Sequence, residues 1–353
     1  MTLNFRILVA NSTYKDYHKT MEGFKMNKRR LGKSGLFVTE IGLGTWQLGA
    51  KWGEPFDETI ALDTLNAALK AGVNFYDTAD VYNGGASEAA LGLFKNKHLN
   101  AYIIIATKAG RYLNPHIAKS YHEANIRKFI LDSLQRLKTD QIDLLQLHCP
   151  PSSVYANEET YIFMDRFVEE GLIKHYGVSV ETVDEAMEAL KHPHVASIQI
   201  IFNMFRLKPM EIFFEAAKKQ DVGIIVRVPL ASGLLSGKMN AETHFNQSDH
   251  RFYNRDGAAF DKGETFSGVN FNDGLKAVEA LKKVFVGQNL AQIALRYILM
   301  FDAVSTVIPG ASRPEHITSN VLAAELPPLT ASQMQSVKDI YDTYIRQSVH
   351  HLW

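Results

Sequence analysis

Between Thr39 and Val307 the chain repeats one pattern: a short apolar run of strand character, then a longer stretch with helical periodicity. Strands are expected at 39–43, 73–76, 102–106, 142–147, 175–179, 197–201, 223–228 and 304–307. Alternation of this kind builds βαβ units around a parallel sheet. Eight strands is the number that closes such a sheet on itself, so the expected fold class is α/β, a TIM (β/α)8 barrel. The helical segments support it. Between Asn125 and Lys138, the residues Ile126, Phe129, Ile130, Leu134 and Leu137 recur at three- and four-residue spacing, which puts them on one helix face. Thr182 with Glu185 is a capping-box signature for another helix start. No repeat of solenoid type and no low-complexity tract divides the chain, so one domain is expected, over residues 26–353 with a C-terminal tail. Residues 1–25 read as a poorly ordered N-terminal extension without the apolar stretch of a secretory signal.

Composition excludes several classes of function. Lys plus Arg (38) balance Asp plus Glu (38), so no net charge draws the protein to nucleic acid or to an anionic membrane. Its longest apolar runs fall well short of the roughly 20 residues that span a bilayer. A single cysteine, Cys149, permits no intrachain disulfide and suits a reducing, cytoplasmic setting. No His-Glu-x-x-His or Cys-x-x-Cys spacing supports a metal site. The expected partner is a small molecule, with the chain a monomer or a homo-oligomer.

Four side chains stand out at or just beyond strand ends: Asp77 and Tyr82 in NFYDTADVY, Lys108 in YIIIATK and His148 in IDLLQLH. Singly, each has a plain reading as a turn residue, a packing residue or a solvated charge. Together they are what a carbonyl reduction needs. Hydride arrival builds negative charge on the carbonyl oxygen, which calls for a proton donor and a hydrogen-bond donor beside it. Tyr82 and His148 supply these, Lys108 should lower the tyrosine pKa, and Asp77 should hold Lys108 charged. A barrel gathers the C-terminal ends of its strands on one face, where such residues would meet.

With IGLGTWQLG, DTADVYNGGASEAALG, ATKAG, LLQLH, GVSV, PLASGLLSGK and VIPGASRPEHITSN in order, residues 27–346 resemble the aldo-keto reductases. The resemblance implies NADPH as hydride donor, with NADH less favoured, and a catalytic tetrad of Asp77, Tyr82, Lys108 and His148. It places Gly44, Thr45 and Trp46 near the nicotinamide, and Ser179 and Gln199 on its carboxamide. Pro229, Leu230, Ser232, Gly233, Leu235 and Lys238 would take the pyrophosphate. Gly310, Ser312, Arg313, His316 and Asn320 would take the adenosine end, Arg313 suiting a 2′-phosphate. Val180 and Arg227 depart from the usual asparagine and stacking aromatic; Arg227 remains a candidate contact because a guanidinium plane also stacks.

Trp46, Tyr82, His148 and Tyr112 are the expected substrate contacts, and Trp52 and the long segment 239–271 are candidates to line or cover the mouth. Arg251 would reach the cofactor from that segment. The terminal VHHLW either folds over the pocket or packs Trp353 on the surface. An aldehyde, a ketone or an open-chain sugar fits these residues. The alternative function is a cofactor-bound redox sensor similar to the β subunits of potassium channels.

Overall fold

The computed structural model describes residues 26–50 and 53–353, so the expected extension at 1–25 and Trp52 lie outside the described residues. A short hairpin comes first, β1 (Lys28–Arg30) antiparallel to β2 (Phe37–Thr39). Eight parallel strands follow: β3 (Leu43–Gly44), β4 (Phe75–Asp77), β5 (Ile104–Ala109), β6 (Ile142–His148), β7 (Ile173–Ser179), β8 (Ser197–Ile201), β9 (Gly223–Arg227) and β10 (Val304–Val307). The ring closes between its first and last members, where Gly42 N–H donates to Val307 O at 2.8 Å and Val307 N–H to Glu40 O at 3.0 Å. This is the expected (β/α)8 barrel, with one correction at the start. Thr39 belongs to the hairpin, where it pairs with Lys28, and the first barrel strand begins four residues later at Leu43. Apolar character alone does not distinguish these two pairings, because Val38 and Leu43 are both buried.

The outer helices include α1 (Glu58–Lys70), α2 (Ala86–Lys97), α3 (Glu123–Leu137), α4 (Glu158–Glu169), α5 (Val183–Ala189) and α6 (Phe213–Lys219). After β9 come α7 (Phe271–Val284) and α8 (Leu290–Leu299), and after β10 come α9 (Pro314–Val321) and α10 (Ala331–Tyr344). In α3 the predicted face is the packed one: Ile126, Ile130 and Leu137 are buried, with Phe129 and Leu134 partly so. A fully buried side chain of this size contributes about 1.5–3 kcal/mol. Thr182 and Glu185 form the reciprocal capping box at the start of α5.

The two poles of the barrel differ. At the N-terminal pole the hairpin is a plug, its Leu31 and Val38 joining Phe75, Ile104, Leu144 and Ile225 in the barrel's interior cluster. The C-terminal pole is open. It carries a cleft of about 400 Å³ whose lining includes residues of the loops after β3, β9 and β10. Among the described residues no helix is long and apolar enough to cross a membrane.

Candidate active site

Register assembles the centre of the site. Asp77 is the last residue of β4 and lies opposite Ala106 of β5, two residues before Lys108. Lys108 in turn pairs with Gln146, and His148 pairs with Ser179. The inward side chains converge. Lys108 Nζ is 2.5 Å from Asp77 Oδ1, donates to Thr78 O at 2.8 Å and to Tyr82 Oη at 3.4 Å. The other Asp77 oxygen accepts from Gln146 at 3.1 Å and from Gln199 at 2.7 Å. Asp77 thus accepts from three donors, and neither charge of the buried Lys108–Asp77 pair is left alone.

Tyr82 reaches this pair from a turn whose next three residues, Asn83, Gly84 and Gly85, have φ of 50°, 63° and 91°. Such left-handed backbone suits Asn and Gly and no bulky residue, and it swings the chain directly into α2. A Cβ at Gly85 would also lie 2.7 Å from Arg136 Cδ. His148 presents its ring edge-on to Tyr82, centroids 5.9 Å apart, and Trp46 stacks on the other side at 6.3 Å.

Burial sets the protonation states here. It raises the Tyr82 pKa above the ordinary 10.0; the Lys108 charge works against that rise and does not overcome it. Lys108 acts in the expected direction, lowering the tyrosine pKa, but the net shift is upward because desolvation of the phenolate is the larger effect. Burial disfavours the charged form of Lys108 too, but Asp77 and Tyr82 together outweigh it and the net shift is upward. His148 is held well below 6.5 by burial and by the charges of Arg111, Lys108 and Arg227, so it is a neutral imidazole. Its Nδ1 is buried without a partner.

Away from the tetrad, the cleft is lined by Gly44, Thr45, Trp46, Gln199, Arg227, Pro229, Leu230, Ser232, Gly233, Lys238, Arg251, Gly310, His316 and Asn320. The residues fit a dinucleotide. Ala231, Ser232 and Gly233 have successive positive φ of 46°, 53° and 92°, a tight left-handed turn whose Ala231 and Gly233 N–H groups donate to Val228 O and Leu230 O. Lys238 and Arg251 bring cationic charge to the same wall. Other expected contacts lie off the lining. Leu235 is fully buried in the core, Ser179 is buried at the end of β7, and Ser312 approaches His316 Nδ1 with its N–H at 3.4 Å. Arg313 is the exposed N-cap residue of α9, 3.6 Å from Glu315. Tyr112 is half exposed, does not line the cleft and has Asp80 as its nearest acidic influence.

Sequence reasoning missed an ion-pair network at the mouth. Arg227 ends β9 and donates to Glu181 at 2.7 Å and to Val180 O at 3.1 Å, with Glu264 at 3.5 Å. Arg111, after β5, donates to Glu264 at 3.0 Å. Glu181 and Glu264 also approach Cys149, but their charge is matched by the guanidinium groups, and burial raises the thiol pKa. Glu264 comes from a long loop in which no motif marks it. Gln146 was more legible: it stands two residues before His148 on the same strand face.

The sequence profile of the Aldo/keto reductase family matches residues 40–342. The chain is 30% identical to the uncharacterised oxidoreductase YqkF of Bacillus subtilis over 331 residues, which is 90% of this chain and 99% of that one. Among solved structures, it resembles the holo form of the aldo-keto reductase AKR11C1 from Bacillus halodurans, with a TM-score of 0.72, 31% identity and coverage of 90% and 96%. It also resembles the glycerol dehydrogenase AKR11B4 from Gluconobacter oxydans, with a TM-score of 0.73, 26% identity and coverage of 92% and 96%.

Proposed function

The chain belongs to the aldo/keto reductase family, and from that premise we propose that it reduces an aldehyde or ketone to an alcohol with NADPH, Tyr82 being the proton donor. The observation that carries this reading is the contact of one buried ammonium, Lys108, with both the Asp77 carboxylate and the Tyr82 hydroxyl at the inner end of the cleft. NADPH, lying along the walls that carry Ser232, Gly233, Lys238 and His316, would supply a hydride to the carbonyl carbon.

The chain's own residues do the rest. Tyr82 and the neutral His148 face the same space and direct two donors at the carbonyl oxygen. As charge builds there, Tyr82 gives up its phenolic proton and Lys108, 3.4 Å away, stabilises the phenolate left behind. Asp77 keeps Lys108 charged and in place throughout. Positioned general acids of this kind contribute about 100- to 10,000-fold in rate.

The test is Tyr82→Phe. Loss of NADPH oxidation over a panel of aldehydes, ketones and open-chain sugars, with NADPH affinity retained, is the expected result. Small polyols and their carbonyl partners belong in that panel, since the Gluconobacter oxydans relative is a glycerol dehydrogenase. Unchanged turnover by Tyr82→Phe would assign the proton to another group.

A further inference from the structure

The loop between β9 and α7 crosses the mouth of the barrel. It touches the far side through His250 and Phe260, whose rings lie 4.9 Å and 5.9 Å from Trp46, and through Glu264, which takes Arg111. It returns to its own side where Ser232 Oγ donates to Glu264 O at 2.9 Å and accepts from Phe266 N–H at 3.1 Å. Asn203, beyond β8, donates to Ser267 Oγ at 2.7 Å. Residues 249–268 are therefore a strap over the cleft, and Glu264 is its innermost charge.

The outer side of that strap rests on Trp353. The indole is buried, 7% exposed, and the Arg206 guanidinium lies 4.0 Å from its ring centroid. A Cβ at Gly268 would come within 2.8 Å of the indole, and one at Gly263 would collide with Arg206 and lie 3.2 Å from the indole. The strap's backbone thus packs flat on this cation–aromatic pair on both sides of Glu264. Arg206 is 1% exposed, and its Nε and Nη1 have no partner, so few contacts other than the ring and the Glu181 carbonyl hold it. The tail leading to Trp353 is itself fastened, by Arg346 to Glu211 at 3.1 Å and by His350 to Tyr341 at 2.8 Å.

We infer that Trp353, with Arg206, is a positioning residue that latches the strap closed and, through Glu264, governs how tightly and how long NADPH is held. The inference rests on the cleft being the NADPH site. Neither residue lines the cleft, so an effect reaches it through the strap or through Glu181, whose carbonyl Arg206 holds, and the Glu264→Gln background distinguishes the two.

The experiment measures NADPH affinity by fluorescence titration and NADPH release by stopped-flow displacement, in the full chain and in Trp353→Ala, Trp353→Phe and Trp353→Leu. Release should quicken and affinity weaken by about tenfold in Trp353→Ala, a coupling of the size found between residues in contact. Trp353→Phe, which keeps a ring for Arg206, should recover most of the loss, and Trp353→Leu should not. In a Glu264→Gln background the Trp353→Ala change should add little. Unaltered release in Trp353→Ala, or equal behaviour of Phe and Leu, would overturn the latch, as would full additivity with Glu264→Gln. Should Trp353→Ala fail to fold, the Phe and Leu pair decides alone. Absence of NADPH binding by the unaltered chain would instead remove the reading beneath it, and the latch with it.

Discussion

Two residues separated by one in the sequence show how environment assigns chemistry. Tyr82 is partly buried and its phenol is held in the protonated form beyond the usual range, while His148 stays neutral. Carbonyl reduction needs the protonated phenol, so its kcat/KM should be level from about pH 7 to about pH 9 and fall only above about 10. A pH profile with an acid limb near 6.5 that persists in Asp80→Asn would mean that His148 titrates in the working range. Asp80 is the neighbour in question. Its carboxylate is buried, and burial, then the nearby Glu88 charge, pushes its pKa up from 3.8 to about 7 against the opposing effect of the Val81 N–H. The folded chain therefore keeps a proton that the unfolded chain loses between those two values. Its stabilising effect is complete below pH 3.8 and is lost as pH rises through about 7. Asp80→Asn, which cannot ionise, should raise stability at about pH 9 by on the order of 2–4 kcal/mol and change it less at about pH 5. Urea unfolding at both pH values measures this, and an equal shift at the two would refute it.

At the scale of elements, the plug and the strap are built differently because they do different work. The hairpin inserts Leu31, which is fully buried, among barrel residues, and Gly32 is so close to the starts of β8 and β9 that a Cβ would collide with Gly223 N and Asp221 O. Apolar packing of this kind makes a permanent closure. Leu31→Ala should cost about 2–5 kcal/mol, the range for large-to-small changes in a core, while leaving kcat unaltered. The strap adds to its ring packing on Trp46 and Trp353 a set of ion pairs and single hydrogen bonds, from Arg111, Arg227, Ser232 and Asn203. The polar contacts are ones that water can replace when the strap parts from its seat. The residues between β9 and β10 also carry unusual backbone, with φ of 52° at Val228, 53° at Phe266 and 58° at Ser267. Non-glycine residues in that region cost free energy and cluster where a fold serves a site.

Across the whole molecule, the plug stabilises one pole and the cleft opens on the other, so folding and binding should be separable. Saturating NADPH at 100 times its Kd should stabilise the chain by about 2.7 kcal/mol. Leu31→Ala should show the same increment from its lower baseline, because distant changes without shared partners add. Thermal unfolding with and without NADPH tests this. Much of this architecture was legible beforehand because the determinants are local. Short apolar runs mark strands and period-3.6 apolar spacing marks helices, as in β6 and α3, and a parallel barrel then brings Asp77, Lys108 and His148 to one pole wherever their strands stand in the ring. What tertiary structure decided is whatever depends on who meets whom. The sign of the Tyr82 shift is a contest between desolvation and Lys108 that only the packed site settles. Glu264 meets Arg111 across 153 residues of chain, and Trp353 meets Gly263, Gly268 and Arg206, through contacts for which sequence spacing carries no signal. Periodicity records which face of an element is buried, whereas the partner on that face is chosen by the closure of the chain in space.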